Sequence, residues 1–383
     1  MTGRTCLNIS QLETPALLLD KSKLETNIKR IHERLHNLGV NLRPHGKTAK
    51  NIDVIEMALK GQPGGITVST LKEAEYYLEH GITDIIYAVG IAPVKLDRVA
   101  GLIKQGANLA LLLDSKEQVG FVAEKGREHG LTIPALIELD CDGHRSGLRA
   151  NDPLLLDIGQ LMQREEGIAL AGVLTHAGES YQCKTTREIQ AMAETERSVA
   201  AGCAEQLRRH GLPCPIVSVG STPTAMYAQD LTGVTEVRAG VFMFHDLVMA
   251  GLDVCDVNDI AISVLTSVIG HQKHKDWVIT DAGWMALSRD RGTASQAVDQ
   301  GSGVVCSLAG EPLHDMIISD TNQEHGIASS RSAAGLPWED FALGGLLRIL
   351  PNHACATAAM FDRYYLVDGG EEVIDAWPRV NGW

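Results

Sequence analysis

Short apolar runs alternate with amphipathic stretches from residue 15 to about residue 245. Steps of three and four residues predict a first helix that ends at Gly39, with an apolar face of Leu24, Ile28, Ile31, Leu35 and Leu38. Helical segments also separate most of eight strand-like runs: Val40–Leu42, Ile66–Ser69, Ile85–Val89, Leu109–Leu113, Ala135–Leu139, Leu170–Leu174, Ile216–Val219 and Glu236–Met243.

Eight strand–helix alternations predict an α/β fold with a (β/α)8 barrel. A doubly wound open sheet is the alternative, although it usually has five or six strands. After about residue 255 the runs are short and separated by turns, which predicts a second, mostly β domain. We expect domains at 15–250 and 251–383, and residues 1–14 could join the second one.

Composition narrows the class of protein further. The 383 residues carry a net charge of −14, and so acidic a surface repels nucleic acid and anionic lipid. We expect neither a nucleic-acid nor a membrane partner, because no apolar run is long enough to span a bilayer. Eight scattered cysteines without a CxxC pair favour free thiols and a cytoplasmic location.

The first predicted strand leads into a basic segment, Arg43-Pro44-His45-Gly46-Lys47-Thr48. Barrel enzymes place their catalytic groups at the C-terminal ends of the strands. Neighbouring positive charge favours the neutral amine of a lysine, which can form a Schiff base with a carbonyl. Lys47 is therefore a candidate covalent anchor, with a solvated loop lysine as the alternative.

Small and hydroxyl residues follow the seventh and eighth predicted strands, where barrels often bind phosphate. The two segments are Gly220-Ser221-Thr222-Pro223-Thr224 and Ala239-Gly240-Val241. Backbone N–H groups in such segments can surround a dianion. Loops of this composition are also common in proteins that bind no phosphate.

His353-Ala354-Cys355 follows the strand-like run Leu346–Leu350. Side chains two residues apart on an extended strand point to the same side, so we expect the imidazole and the thiolate to face one ion. Nitrogen with sulfur favours zinc over magnesium or manganese. Two protein ligands leave positions for a third group, water or substrate, as in a catalytic site. A buried cysteine beside a surface histidine is the alternative.

Four further polar segments predict site or interface loops. Two of them follow the fifth and sixth predicted strands, and two lie in the predicted β domain. They are Asp142–Gly147, His176–Tyr181, Asp281–Trp284 and Asn322–Gly326. Solvated turns are the alternative for each.

In this order along the chain, the segments resemble the fold-type III pyridoxal-phosphate enzymes, which have alanine racemase-like barrels. More narrowly, they resemble the D-serine dehydratase and D-threonine aldolase family. The resemblance covers almost the whole chain, from Thr14-Pro15-Ala16 to Pro351-Asn352-His353-Ala354-Cys355. Between these ends lie the Lys47 segment, Thr175–Gly178, Gly220–Thr222, Val237–Gly240, Asp281–Gly283 and Glu324–Gly326.

The resemblance implies two cofactors, pyridoxal 5'-phosphate and Zn2+. Lys47 matches the catalytic lysine that carries the pyridoxal phosphate, and His353 and Cys355 match the metal ligands. Arg238 matches an arginine placed against the pyridine nitrogen, and Arg145 one near the phenolic oxygen. The remaining cofactor-binding positions are Tyr181, Ser221, Thr222, Gly240 and Val241.

Cys355 decides between the branches of this family, because the aldolases have aspartate at that position and the dehydratases have cysteine. The resemblance thus implies a lyase that eliminates water from a D-3-hydroxy amino acid to give a keto acid and ammonia. It also implies a homodimer. The substrate is D-threo-3-hydroxyaspartate or D-serine, and the runs Gly220–Pro223 and Ser288–Thr293 resemble the branch specific for the former. Its second carboxylate needs a cation, for which the candidates are Arg289, Arg291 and His325.

Other functions remain open at this point. A D-threonine-type aldolase, giving glycine and an aldehyde, could use the same lysine and metal. A non-catalytic cofactor-binding protein is the alternative of another class, but it needs neither a β domain nor the His353–Cys355 pair. An amino-acid racemase has no use for the metal.

Overall fold

A computed structural model describes residues 7–332 and 335–383, so Cys6 lies outside the described residues. The strands in chain order are β1 Leu7–Asn8, β2 Ala16–Asp20, β3 Asn41–Pro44, β4 Ile66–Val68, β5 Asp84–Gly90, β6 Asn108–Leu113, β7 Ile133–Asp140, β8 Leu148–Arg149, β9 Ile168–Thr175, β10 Ile216–Val219, β11 Glu236–Ala239, β12 Ile262–Gln272, β13 Trp277–Thr280, β14 Val304–Cys306, β15 Pro312–Thr321, β16 Gly326–Ser330, β17 Leu346–Leu350, β18 Arg363–Val367, β19 Glu372–Val373 and β20 Asp375–Pro378.

The helices are mostly placed between these strands. They are α1 Lys21–Asn37, α2 Ile52–Leu59, α3 Leu71–Glu79, α4 Leu96–Lys104, α5 Lys116–His129, α6 Leu154–Arg164, α7 Thr186–Arg209, α8 Thr222–Tyr227, α9 Leu247–Gly251, α10 Trp284–Leu287 and α11 Ala354–Ala358. In the described part of the chain, no helix combines the length and apolarity that crossing a membrane requires.

The described chain divides into two compact units. One consists of Arg30–Gly240 with Gly382–Trp383, and the other of residues 7–29, 241–332 and 335–381. The domain limits expected from the sequence, 15–250 and 251–383, stay a prediction. β2 nevertheless lies in the sheet of the second unit, because it pairs antiparallel with β12 and parallel with β18.

The first unit contains the predicted barrel. Its parallel strands lie in the order β3-β11-β10-β9-β7-β6-β5-β4, with helices in the connections. The eight predicted strand runs correspond to these eight strands, so the fold class is confirmed. Apolar side chains from neighbouring strands form a buried cluster of Ile86, Ala110, Leu112, Leu136 and Leu174.

The barrel closes between its first two strands, β3 and β4. A single parallel bridge joins His45 to Thr67 there, and the Gly46 N–H donates to the Thr67 carbonyl at 2.7 Å. This bridge is short because the chain turns away immediately after it, toward Lys47. The barrel closure therefore positions the backbone of the predicted lysine segment.

Buried Arg43 strengthens this seam, the junction between β3 and β4 at which the barrel closes. Arg43 donates from Nε to Glu236 on β11 at 2.7 Å and from Nη2 to Asp84 on β5 at 2.9 Å. It also donates from Nη1 to the Ile66 carbonyl on β4 at 3.3 Å. Gly65 must be a glycine, because a Cβ there would lie 2.4 Å from both Arg43 Nη1 and Asp84 Oδ2. One guanidinium thus connects strands on both sides of the closure.

The second unit contains the predicted β domain. Its main sheet has the order β13-β16-β15-β14-β17-β12-β2-β18-β20, and β13 also pairs with β12. The six strands from β13 to β12 therefore form a closed ring, in which all pairings are antiparallel. A core of Ile9, Ala16, Leu18, Leu265 and Val367 packs on this sheet.

The Arg43 network makes a testable prediction for stability. Arg43→Met removes the cation and leaves the Glu236 carboxylate buried, so we expect the free energy of unfolding to fall by about 3–5 kcal/mol. Urea unfolding measures this change. The control is Arg98→Met, because the Arg98–Glu75 pair is more exposed, at 38% and 35% against 8% and 11% for Arg43–Glu236, and should contribute about 1 kcal/mol or less. A loss at Arg43 no larger than at Arg98 would show that the seam does not depend on the ion pair.

Candidate active site

The predicted site residues fall into two sets, one in each unit. Lys47 lies after β3 in the barrel, and its side chain is exposed. Its backbone N–H lies 3.4 Å from His45 Nδ1. Burial lowers the pKa of His45 well below its ordinary value, and the positive charges of Lys47 and Arg238 add to this effect. His45 is therefore neutral near pH 7.

His176 follows β9 and belongs to the set of site residues in the barrel unit, where a hydrogen bond fixes its imidazole. Its Nδ1 donates to the Gly220 carbonyl at 2.7 Å. Burial lowers the pKa of His176 to about 3; the hydrogen bond to Gly220 opposes this shift and the charge of Lys47 adds to it. The ring is therefore neutral, with its proton on Nδ1 and a lone pair on Nε2.

Arg238 lies on β11 and is 4% exposed. Its Nη1 donates to Ser218 Oγ at 2.8 Å, and its Nη2 donates to the Thr175 carbonyl at 2.7 Å. Burial lowers the pKa of Arg238 to about 10, although Glu196 and other carboxylates oppose the shift. The guanidinium remains charged at neutral pH, in a fixed orientation.

Tyr181 and Arg145 lie on two loops that are tied together. Tyr181 is in the turn Gly178–Gln182 after β9, and its ring centroid is 6.3 Å from that of His176. Arg145 is exposed in the loop after β7, and its charge also contributes to lowering the His176 pKa. His144 Nδ1 and Glu179 Oε1 join the two loops at 2.7 Å. The structure thus places Tyr181 beside His176, and Lys47, Arg145 and Arg238 close enough for their charges to lower its pKa.

The predicted phosphate segments contain a hydroxyl without a partner. Thr222 begins α8 and is 1% exposed, and its Oγ1 has no hydrogen-bond partner in the described residues. Thr67, on β4, has a second buried hydroxyl of this kind, which the sequence analysis did not single out. A buried hydroxyl without a partner costs free energy, so each is suited to bind a ligand atom.

Two glycines in these segments are required by close packing. Gly220 has φ +140°, and a Cβ there would lie 2.0 Å from the Arg238 carbonyl oxygen. A Cβ on Gly240 would lie 2.6 Å from Thr48 Oγ1. Val241, the next residue, is buried and begins a 3-10 turn in the second unit.

Ser221 is already engaged by the protein. It precedes α8, and its Oγ accepts from the Thr224 N–H at 3.2 Å and lies 2.9 Å from Ser180 Oγ. Its own N–H donates to Thr224 Oγ1 at 3.1 Å. Ser221 therefore shapes the turn around Thr222, and its role as a direct cofactor contact stays a prediction.

The metal pair lies in the second unit, on a different local structure from the one expected. The prediction of an extended strand was wrong, because His353 directly precedes α11 and Cys355 is the second residue of that short helix. The backbone bends into the helix immediately after Asn352. The two side chains nevertheless meet, since Cys355 is hydrogen-bonded to the His353 imidazole.

Asp290 orients this imidazole. Its Oδ2 lies 2.6 Å from His353 Nδ1, so Nδ1 carries the proton and Nε2 is left for a metal ion. Burial disfavours the charged imidazolium, but the bonds with Asp290 and Cys355 outweigh it and raise the pKa of His353 to about 11. The same contact with His353 lowers the pKa of Asp290. Near pH 7 the metal-free ring therefore carries a proton on Nε2 as well, and a metal ion would have to displace that proton. The same negative surroundings that stabilise the imidazolium favour a metal cation in its place.

Two buried residues hold the backbone of this turn. Asp246 accepts from the Ala354 N–H at 2.9 Å and from the Met249 N–H at 2.9 Å. Asn352 donates to the Asp290 carbonyl at 3.1 Å and to the Gly301 carbonyl at 2.7 Å. Among the residues that the structure describes, no group of three histidine, cysteine or acidic side chains is arranged to hold a metal. His353 and Cys355 alone stay the predicted ligands.

The polar loops of the β domain have structural contacts. Asp281 accepts from Thr14 Oγ1 and from Thr266 Oγ1, each at 2.6 Å, so it fastens the start of β2 to β12. Loop Asn322–Gly326 packs on the backbone near Gly283, where a Cβ would lie 2.3 Å from the Gln323 carbonyl oxygen.

Of the three candidates for binding a second carboxylate, the structure distinguishes one. Arg291 is paired with Asp299 at 2.9 Å, and His325 is exposed. Arg289 is exposed and lies over the Trp284 ring, 4.2 Å from its centroid. A guanidinium stacked on an aromatic ring keeps its N–H groups available for an anion.

Known protein families match both parts of the chain. The family described as "Alanine racemase, N-terminal domain" matches residues 19–247. The family described as "Putative serine dehydratase domain" matches residues 261–367.

Individual relatives cover almost the whole chain. D-threo-3-hydroxyaspartate dehydratase of Delftia sp. strain HT23 is 49% identical over 97% of this chain and 98% of its own. Its structure has a TM-score of 0.96, covering 98% of this chain and 100% of that one. A variant of a D-threo-3-hydroxyaspartate dehydratase, solved "in the metal-free form", is 48% identical and has a TM-score of 0.95, covering 98% of this chain and 100% of that one. D-serine dehydratase of Dictyostelium discoideum is 28% identical over 98% of both chains. D-threonine aldolase from Filomicrobium marinum has a TM-score of 0.82 at 25% identity, covering 99% of this chain and 98% of that one.

The neutrality of His176 makes a prediction about pH. The unfolded chain takes up a proton near pH 6.5, whereas the native ring takes it up only near pH 3. Stability should therefore fall as the pH drops through this interval, by up to about 1.4 kcal/mol per pH unit from this residue. Urea unfolding of wild type and His176→Gln over this interval measures the part of the pH dependence that His176 contributes, which the variant should lack.

His80→Gln is the matched control, because the exposed His80 ring also lies 2.7 Å from a backbone carbonyl, that of Tyr76. It should leave the pH dependence of the wild type intact. If His176→Gln has the same pH dependence as the wild type, His176 is not held neutral.

Proposed function

Because the chain belongs to the alanine racemase-like family that includes the D-serine dehydratases, we propose that it is a dehydratase acting on a D-3-hydroxy amino acid. It would eliminate water and release a keto acid and ammonia, with D-threo-3-hydroxyaspartate as the first candidate substrate. The observation that carries the proposal is the His353–Cys355 pair with Asp290 behind it. A racemase or a cofactor carrier has no use for this pair.

The barrel set fits pyridoxal phosphate. The partnerless hydroxyl of Thr222 and the close-packed Gly220 and Gly240 suit the phosphate, and the exposed Lys47 amine suits the aldehyde. When bound, the cofactor supplies a conjugated ring that withdraws the electron pair left by the α proton. We assign the removal of that proton to the Lys47 amine.

Arg238 and His176 would set the electrostatics around the ring. A permanently charged guanidinium cannot accept a proton, so Arg238 against the pyridine nitrogen would keep that nitrogen unprotonated. His176 is neutral and offers an Nε2 lone pair, which can accept a hydrogen bond but adds no positive charge. Arg145 and Tyr181 flank it and are assigned to the phenolic oxygen and the cofactor surroundings.

The second unit fits a zinc ion. Asp290 fixes the His353 proton on Nδ1, which leaves Nε2 and the Cys355 sulfur as a nitrogen and sulfur ligand set. When bound, zinc supplies a Lewis acid that stabilises a departing hydroxide. A carboxylate in place of Cys355 would prefer harder ions, and this difference favours a dehydratase over an aldolase.

Arg289 is the residue we assign to the second carboxylate of the substrate. Its guanidinium is exposed and stacked on Trp284, whereas Arg291 is already paired with Asp299. A bidentate bond to a carboxylate would distinguish hydroxyaspartate from serine, which has no such group.

We further propose a cytoplasmic homodimer. The described cysteines, from Cys141 to Cys355, are free thiols, as is usual in a reducing compartment. The dimer rests on the family resemblance alone.

Lys47→Ala tests the cofactor assignment. The variant should be purified without the visible absorbance band of bound pyridoxal phosphate and should be inactive, because no amine remains to hold the cofactor. The exposed Lys116, which pairs with Asp157 on the barrel surface, provides the control Lys116→Ala, which should keep both. A pyridoxyl group that stays attached to Lys47→Ala after borohydride reduction and denaturation, detected by its ultraviolet absorbance, would place the cofactor on another residue.

Metal removal tests the reaction class. The purified protein should contain about one zinc per chain, and chelation should stop elimination while leaving the cofactor band unchanged. Added zinc should restore activity. Cys355→Asp should shift the metal preference toward harder ions and lower the elimination rate.

Cys183→Ala is the matched control, because Cys183 is a partly exposed free thiol of the barrel unit. It should keep its zinc and its activity. If the chelated wild-type enzyme dehydrates its substrate at the full rate, the metal has no part in the reaction.

A further inference from the structure

We propose that Glu196, a buried carboxylate on α7, is the positioning residue that holds the phosphate-binding turn and the His176 loop in register. The proposal rests on the proposed function, since it assigns the turn around Thr222 to the cofactor phosphate. Glu196 is 2% exposed and lies outside the family motifs identified in the sequence.

One carboxylate oxygen joins the loops that follow two neighbouring strands. Glu196 Oε1 accepts from the Ala177 N–H, after β9, at 2.9 Å and from the Gly220 N–H, after β10, at 3.0 Å. Bonds from N–H groups to an ionised carboxylate are stronger than those between neutral groups. This one atom therefore bridges the two loops, which are also joined by the His176–Gly220 and Ser180–Ser221 contacts.

The other oxygen holds the far end of the same turn. Glu196 Oε2 accepts from Thr224 Oγ1 at 2.7 Å, and that hydroxyl in turn accepts from the Ser221 N–H at 3.1 Å. Glu196 thus contacts the turn at Gly220 and at Thr224. Thr222, whose buried hydroxyl has no hydrogen-bond partner among the described residues, lies between these two points.

The contact at Gly220 continues to His176. The Gly220 N–H binds Glu196, while the Gly220 carbonyl accepts from His176 Nδ1 at 2.7 Å. A displacement of this peptide would release the Nδ1 proton of His176 from its acceptor. Glu196 therefore controls both the position of the turn and the tautomer of the imidazole.

Stability alone does not account for a buried carboxyl group at this position. Burial raises the pKa of Glu196, and the bonds with Thr224, Ala177 and Gly220 and the charge of Arg238 oppose that shift. A buried charge costs desolvation energy, and apolar packing of equal volume often stabilises a protein as well or better. The three groups that donate hydrogen bonds to Glu196 all belong to segments that form the candidate site.

The test compares two ligands that differ only in the phosphate. Apoprotein is titrated with pyridoxal phosphate and with pyridoxal, and the ratio of the two dissociation constants gives the contribution of the phosphate. Glu196→Ala should reduce the preference of the wild type for the phosphorylated ligand by about 10- to 100-fold, because the turn loses the acceptor of its Gly220 N–H and Thr224 hydroxyl. Affinity for pyridoxal should fall by a smaller factor, because it depends on the His176 loop but not on the phosphate turn.

Glu196→Gln is the conservative variant and also serves if the alanine variant fails to fold. Its amide oxygen can still accept from Ala177 and Gly220, so it should restore most of the preference. Thr222→Val should reduce the preference directly.

Glu236→Gln is the matched control, because Glu236 is also a buried barrel carboxylate but lies at the N-terminal end of β11, where it binds Arg43 and Ser218. It should lower the melting temperature without changing the ratio.

The outcomes separate this proposal from the proposed function. A wild type that binds both ligands equally overturns the phosphate site and the proposed function with it. If the wild type prefers pyridoxal phosphate but the Glu196 variants keep the full preference and lose only thermal stability, the positioning role alone is overturned.

Discussion

The closure of the parallel barrel is the constraint on which the candidate site depends. β3 and β4 share a single backbone bridge, His45 to Thr67, where other neighbouring strands share several. The buried Arg43 guanidinium adds bonds to β11, β4 and β5 around this gap. The chain leaves β3 at this bridge, so the exposed Lys47 amine starts from a backbone that cannot shift without opening the barrel.

Carboxylates that accept hydrogen bonds from site segments provide the second level of organisation. Glu196 ties the loops after β9 and β10, Asp290 fixes the proton of His353, and Asp246 holds the backbone N–H of Ala354. Each uses its charge on N–H or imidazole donors of segments that carry candidate site residues. The side chains proposed to meet the ligands are thereby positioned by neighbours with fixed geometry.

The sequence predicts the barrel well because its strands are buried on both faces and appear as continuous apolar runs between amphipathic helices. It singles out Lys47 and Thr222 as candidates because both follow strand ends in recognisable segments, and their roles stay predictions. It fails for the local structure at Cys355, since three residues cannot distinguish an extended strand from the first turn of a helix. The side chains meet despite this difference, because His353 and Cys355 are only two residues apart.

The pattern of apolar and polar residues in the sequence could not single out Glu196 or Asp290 as site residues. On α7, Glu194 and Glu196 are separated by one residue and look alike, yet Glu194 is exposed and pairs with Arg197 while Glu196 is buried. Only the rotation of the helix against the barrel decides between them. Asp290 is one of many charged residues in a loop, and its contact with His353 joins residues 63 positions apart.

The central claim, that the chain is a dehydratase, is tested most directly by identifying the products from D-threo-3-hydroxyaspartate. Loss of water followed by hydrolysis gives oxaloacetate and ammonia, whereas cleavage of the bond between the α and β carbons gives glycine and glyoxylate. NMR of the reaction mixture, with ammonia measured in parallel, distinguishes the two sets. The account predicts oxaloacetate and ammonia in equal amounts; glycine with glyoxylate would contradict it.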